Sequence, residues 1–237
     1  MTTLADRLLK KHFGKDPHPF RLFEEEVQRR LTRGATLLDA GCGRSAPVLT
    51  KFRGQAGRLI GIDLVEFEAA QNSLELHHAD IDDIPLPDQT VDLVMARSVM
   101  EHIQNPGAAY AEVHRVLKSG GAFVFLTPNL WDYSSLIALA VPNRFHPWIV
   151  SRVEGRAEED VFPVVYKTNT RRSVKKWAEG AGFEVVRFDY LGQYPSYFMF
   201  NGGLFWIATQ YEKLLRRFRP LRVLQGWILV TLVRRPR

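Results

Sequence analysis

The sequence predicts an α/β chain built on a parallel sheet, and three observations carry that expectation. Short apolar runs alternate with helical stretches through the middle of the chain, the pattern of right-handed strand–helix–strand crossovers. A glycine-rich turn, Gly41-Cys-Gly-Arg-Ser-Ala46, follows directly on the first of these runs. Asp63 closes the next run, 22 residues after Gly41.

Each element is readable in order. Thr3–Phe13 carries Leu4, Leu8 and Leu9 at helical spacing, and Asp16-Pro-His-Pro19 breaks it. Phe20–Leu31 is a second helix, stopped by Gly34. Strands follow at Thr36–Ala40, Arg58–Asp63, Leu74–His78, Val91–Ala96 and Ala122–Leu126. Between the last two, Pro106–Leu117 is a helix closed by Lys118-Ser-Gly-Gly121. Thr170–Glu179 is a helix with Thr170 as its N-cap and Gly180 near its end. Phe183–Leu191 and Gly226–Val233 are the sixth and seventh strands. Leu204–Phe218 lies between them. Its Leu204, Ile207, Tyr211, Leu214, Leu215 and Phe218 recur at helical spacing and are expected to pack on the sheet or cap a pocket.

The chemistry concentrates in Leu37-Leu-Asp-Ala-Gly-Cys-Gly-Arg-Ser-Ala46, which runs from a strand through glycines toward a helix. The spacing of Asp63 suits a carboxylate accepting hydrogen bonds from a ribose diol, so a nucleoside cofactor is expected. Asp39 at the strand end would repel the pyrophosphate of NAD and suits the ammonium and sulfonium of S-adenosylmethionine. Arg44 points the other way, since it suits a phosphate, but it lies farther along the loop. Cys42 reads as a small packing residue within the cofactor loop.

On these residues the sequence resembles the class I S-adenosylmethionine-dependent methyltransferases, over roughly residues 35–190 and most nearly those of the ubiquinone and menaquinone pathways. Leu37–Gly43 is similar to the family's first motif and Gly61-Ile-Asp63 to its second. His78-Ala-Asp-Ile81 is similar to the third. Ile84–Val94, Glu101-His-Ile103 and Arg115–Gly121 resemble further family features in the same order. The resemblance implies a Rossmann-like three-layer sandwich. Its seven-stranded sheet has an antiparallel last strand, with a helical insertion before that strand. It implies S-adenosylmethionine held by Asp39, Gly41, Cys42, Gly43, Asp63, Leu64, Asp80, Ile81 and Arg97. Asp63 would meet the ribose, Asp80 the adenine amine and Ile81 the ring. Ser45 departs from the family, which often has glycine there. The organisation expected is a helical cap over 1–33, a cofactor-binding core over 34–191, an acceptor or membrane-facing insertion over 192–224, and a last strand with a basic tail over 225–237.

Methyl transfer to a hydroxyl needs a base. His102 is the first candidate, because it follows the fourth strand at the carboxyl edge of the sheet. His146 is the second and Tyr166 the third. His77 and His78 lie in a strand and read as structural. The ubiquinone-pathway O-methyltransferases carry Glu-x-x-Glu-His, whereas Ser98-Val-Met-Glu-His102 has Ser98 in place of the first glutamate, so no metal is expected.

Composition limits the remaining classes. At 237 residues, 46% hydrophobic and 24% charged, the chain is neither disordered nor a disulfide scaffold. One cysteine fits a reducing, cytoplasmic compartment, and the charged first eleven residues lack the apolar core of a secretory signal. The uncharged run Tyr190–Tyr211 is long enough to span a membrane, but its glycines, Pro195 and polar residues argue against a span. From Tyr211 onward eight basic residues face one acid, Glu212, so this segment carries +7 and the first 210 residues −1. Such a patch suits an anionic membrane surface or a phosphorylated partner; as a solvated face it needs neither. Asn-Pro-Pro-Tyr is absent after the fourth strand, which argues against nucleic-acid methylation. Aromatic residues crowd the late chain, so the expected acceptor is a small, hydrophobic, lipid-linked or glycan-containing molecule. C-methylation of a quinone-type ring and a non-catalytic cofactor-binding role are the alternatives. The oligomeric state is not readable.

Overall fold

The computed structural model describes residues 3–68, 73–140 and 162–235. Seven strands form one sheet in the order β3-β2-β1-β4-β5-β7-β6. They are β1 (Thr36–Ala40), β2 (Arg58–Asp63), β3 (Glu75–His78), β4 (Val91–Arg97), β5 (Leu117–Pro128), β6 (Phe183–Leu191) and β7 (Trp227–Arg234). The first five run parallel, and β7 is antiparallel to both of its neighbours, β5 and β6. The order reverses between β1 and β4. That switch point, at the carboxyl ends of the strands, is where such sheets bind ligands.

Helices cover both faces. Buried strands carry alternate side chains to opposite faces, so adjacent Leu37 and Leu38 enter different cores. On one face α2 (Pro19–Arg30) drives Phe23 and Val27 against Leu37, Leu93 and Val124. On the other, α3 (Pro106–Val116) and α5 (Arg171–Gly180) bring Tyr110, Val113, Val174 and Ala178 onto Leu38, Val94 and Phe123. The helix starts are encoded locally. Thr170 and Ser173 form a capping box for α5, Pro19 and Pro106 occupy the first turns of α2 and α3, and Asn105 Oδ1 accepts from the Ala108 amide. A smaller core joins α1 (Leu4–Phe13) to α6 (Gly202–Arg217) through Ala5, Phe13 and Phe205. The remaining helix, α4 (Tyr133–Ala140), follows β5.

Four expectations change. No α-helix follows the glycine loop; a four-residue 3-10 turn, Leu49–Phe52, stands there. Ala46 at φ +45° and Pro47 interrupt helical backbone before it, and Gly54 at φ +74° ends it. Lys118–Gly121 does not close α3 but begins β5, which starts at Leu117. The periodic apolar stripe of α6 is not its buried side: Leu204, Ile207, Leu214 and Phe218 are exposed, while Phe205, Ala208, Thr209, Glu212 and Leu215 are buried. Both sides of that helix carry apolar residues, and docking of Phe205 on Phe13, with ring centroids 6.4 Å apart, selects the inward one.

Finally, the basic tail is not one patch. Arg234 is buried at the start-edge of the parallel strands, donating to the carbonyls of His114, Arg115 and Leu117. Arg216 pairs with Asp16 and stacks on Phe13.

Candidate active site

The carboxyl ends of β1, β2 and β4 meet at the glycine loop. Gly41 adopts φ +81°, and a Cβ there would lie 2.2 Å from Val99 Cγ2 in the segment after β4. Only glycine satisfies both the left-handed backbone and that approach. The amides of Gly41 and Cys42 donate to the Ile62 carbonyl at 2.8 and 3.1 Å. Gly43, at φ +76°, donates its amide to Asp63 Oδ2 at 2.7 Å, and Asp63 Oδ1 accepts from the amides of Leu64 and Val65 at 2.7 and 3.2 Å. The Asp63 carboxylate thus clamps the loop. Each of its oxygens has two lone pairs, and Oδ2 accepts only one of these backbone bonds.

Asp39 is 2% exposed, and its Oδ2 has no hydrogen-bond partner among the described residues. Burial pushes its carboxyl up to about 7, against the pull of Arg97 and with a smaller push from Asp63. An orphaned buried carboxylate oxygen is costly and calls for a cationic or donor group. Arg97 closes β4, stacks on Phe20 at 4.5 Å and reaches Glu24 Oε1 at 3.5 Å, tying the β4 end to α2. Cys42 is buried against Gly61, where a Cβ would sit 2.7 Å from its Sγ. Burial, then Asp39 and Asp63, push its thiol far up, so it is no nucleophile. Ile81 is buried in the core beside β2, Asp80 is partly exposed at the loop after β3, and Leu64 is exposed.

The segment after β4 carries His102. Its Nδ1 lies 3.1 Å from the Pro163 carbonyl. A carbonyl only accepts, so Nδ1 carries a proton and donates it to Pro163, which leaves Nε2 as the nitrogen not held by that carbonyl. Nε2 lies 3.9 Å from Glu101 Oε1. Glu101 is buried and accepts from Thr127 Oγ1 at 2.7 Å; Thr127 in turn accepts from Asn169 Nδ2 at 2.7 Å. The Glu101 carbonyl receives the amides of Val165 and Tyr166 at 2.8 and 3.1 Å. Tyr166 stands at φ +49°, and its hydroxyl bonds Ser135 while burial raises its pKa. His77 bonds Glu75 at 2.7 Å in β3, away from the switch point, and His78 is exposed at the end of that strand. His146 lies outside the described residues.

Two further acids, Asp132 beside Tyr166 and Glu212 beside Asp132, are not singled out as site residues by sequence. Asp132 is buried before α4 and accepts from the Ser134 amide at 3.0 Å; burial raises its pKa despite those bonds. Glu212 on α6 is 3% exposed with Oε2 unpartnered among the described residues. Burial, then Asp132, push it up to about 7, while Arg216 opposes. Tyr133 and Tyr211 meet edge to face beside them, 5.9 Å between centroids. Glu212 did leave one signal, as the single acid in a basic segment.

Residues 38–125 match the family model described as a methyltransferase domain. A probable S-adenosylmethionine-dependent methyltransferase of Mycolicibacterium smegmatis is 34% identical over 124 residues, covering 48% of this chain and 47% of the relative. Over this segment the chain is similar to S-adenosylmethionine-dependent methyltransferases. The chain is also 32% identical over 160 residues to a malonyl-[acyl-carrier protein] O-methyltransferase of Pseudescherichia vulneris, covering 65% of this chain and 58% of that one. It spans about half the length of the curated relatives it matches. Its fold is similar to an S-adenosylmethionine-dependent methyltransferase from Mesorhizobium loti, with a TM-score of 0.61 at 16% identity, over 92% of this chain and 99% of that chain. A geranyl diphosphate C-methyltransferase from Streptomyces coelicolor shares the fold, with a TM-score of 0.55 at 17% identity, over 90% of this chain and 76% of the other.

Proposed function

We propose that the chain transfers the methyl group of S-adenosylmethionine to a hydroxyl of a small, hydrophobic, lipid-linked or glycan-containing acceptor, with His102 as the base. The observation that carries this reading is the imidazole anchored through Nδ1 on the Pro163 carbonyl, which leaves Nε2 as the nitrogen that can take a proton at the carboxyl edge.

The loop fits the cofactor. The orphaned Asp39 Oδ2 matches an ammonium, and the open lone pairs of Asp63 match a ribose diol. An added Cβ at Gly43 would find nothing nearer than Pro47 at 4.0 Å, so the loop keeps room for a ligand. Asp80 would take the adenine amine, Ile81 the ring, and Gly41, Cys42 and Leu64 the walls, while Arg97 would balance Asp39. When bound, the cofactor supplies a methyl carbon already activated on sulfonium. His102 Nε2 would take the proton of the acceptor hydroxyl as its oxygen is methylated. Glu101, 3.9 Å away, would stabilise the imidazolium, and Thr127 with Asn169 would hold Glu101 in place.

The O-methyltransferase name of the 32%-identical relative supports the oxygen acceptor. C-methylation of an apolar acceptor is the second reading, favoured by the sterol and geranyl diphosphate C-methyltransferases among the similar proteins.

Calorimetric titration with S-adenosylmethionine, S-adenosylhomocysteine and NAD tests the cofactor; only the two sulfur ligands are expected to bind. An acceptor screen then compares wild type with His102→Asn. Loss of a general base costs roughly 10²- to 10⁴-fold in turnover. Unchanged turnover in His102→Asn would favour C-methylation, and failure of both sulfur ligands to bind would end the methyltransferase reading.

A further inference from the structure

We propose that the outward face of α6 is a docking surface for a lipid bilayer carrying anionic headgroups. It deepens the lipid-linked reading of the acceptor and rests on that reading for its purpose.

The face combines the two elements such docking needs. Leu204, Ile207, Leu214 and Phe218 fall on one line along the helix, and all are exposed. Ile207 is 60% exposed, and Trp206, 52% exposed, stands beside this line. Phe200, just before the helix, is 79% exposed. Isolated apolar residues on a surface need no explanation, but a continuous row on one helix does. Phe205, Ala208 and Leu215 already serve the inward packing, so the outer row is not needed to hold the helix.

Charge identifies the occupant. Lys213 and Arg217 lie two and three helical turns along from Trp206, and Arg219 follows the helix; all three are exposed. α1 extends the positive field: Lys10 and Lys11 end that helix, and Lys213 with Lys11 adds to burial in holding the His12 pKa below its usual range. Gly202 allows the close approach of the two helices, since a Cβ there would lie 2.8 Å from Leu4 Cβ. Leu4 is itself exposed at that junction. Apolar residues fringed by lysine and arginine match an acyl boundary beneath anionic headgroups, and Trp206 is suited to the boundary itself. No described helix is long and apolar enough to cross a membrane, so the geometry is that of a helix lying on the surface.

The experiment is co-sedimentation of the full chain with phosphatidylcholine vesicles, with and without phosphatidylglycerol. Binding is expected only with phosphatidylglycerol, with a blue shift in emission that Trp206→Phe removes. Neutralising Lys213, Arg217 and Arg219 together to glutamine should weaken binding on the order of a hundredfold, from about fivefold per basic residue. Ile207→Glu should abolish it while leaving the melting temperature unchanged, because the side chain is exposed. Wild type that ignores anionic vesicles, or binding indifferent to both variants, would overturn the proposal. So would a concentration-dependent dimer that Ile207→Glu dissolves without any lipid binding. The readout needs no turnover, so this surface and methyl transfer can fail separately.

Discussion

The two halves of the sheet's carboxyl edge are built from different materials. On the β1–β2 side, backbone does the holding. Gly41, Cys42, Gly43, Leu64 and Val65 all spend their amides within the loop, and Asp63 is the single side chain that gathers three of them. On the β5 side, side chains hold side chains: Glu101 to Thr127, Thr127 to Asn169, Tyr166 to Ser135. The half proposed to hold the cofactor therefore tolerates few residue types at a few adjacent positions. The half proposed to hold the acceptor depends on partners scattered from residue 101 to residue 212.

The sharpest way to break this comparison is Gly41→Ala. The added Cβ would sit 2.2 Å from Val99 Cγ2 at a left-handed backbone, so the loop must move. Cofactor affinity should fall at least a hundredfold by calorimetry, since strain of ~1–3 kcal/mol at such a position adds to the clash. Val99→Ala should recover part of the loss, because it removes the clash and leaves the backbone strain.

The next effect sharpens the comparison by pH. Asp39 and Glu212 both titrate near 7 when folded and near 4 when unfolded. Between those values the native state binds more protons than the unfolded one. Stability of the cofactor-free protein should therefore fall as pH rises from about 4 to 7, by a few kcal/mol in total. Asp39→Asn and Glu212→Gln should each flatten that slope in denaturant titrations. S-adenosylmethionine should restore stability at neutral pH in Glu212→Gln and much less in Asp39→Asn. Equal restoration in both would show that the two halves are not distinct in the way described.

The smallest expected effect is Thr127→Val, which removes one hydrogen bond from buried Glu101 and one from buried Asn169, the latter keeping the Pro128 carbonyl. Stability should drop by ~1–3 kcal/mol. Cofactor affinity should stay within twofold, because no loop amide is touched; a large loss of affinity would couple the halves.

That contrast also explains what could be read from sequence. Strands β1, β2 and β6 are recovered with the same limits, because short apolar runs (β1, β2) or alternating runs (β6) next to glycines have few other solutions. The cofactor loop is legible because its constraints are local: φ +81° and +76° at residues 41 and 43 permit little but glycine. The missing helix after it is partly local, since Pro47 and Gly54 flank the short turn, and partly tertiary, since α2 supplies Phe23 and Val27 to that core. Periodicity alone misassigns the face of α6, because burial there is decided by α1, nearly two hundred residues earlier. Asp132 and Glu212 escape for the same reason. Nothing near either residue in the chain marks it as buried, and each becomes notable only beside the other.

One topological feature bears on how the chain is made. β6 touches the sheet only through β7, which is inserted between it and β5. During synthesis β6 and α6 emerge before the strand that seats them. Until Trp227–Arg234 arrives, the apolar flank of β5, Phe123–Leu126, and the whole of β6 remain unpaired edges. Unpaired strand edges invite association between chains. A ribosome stalled ahead of residue 227 would thus present a nascent chain with a near-complete cofactor loop and an aggregation-prone flank, a natural client for a chaperone until the final strand closes the sheet.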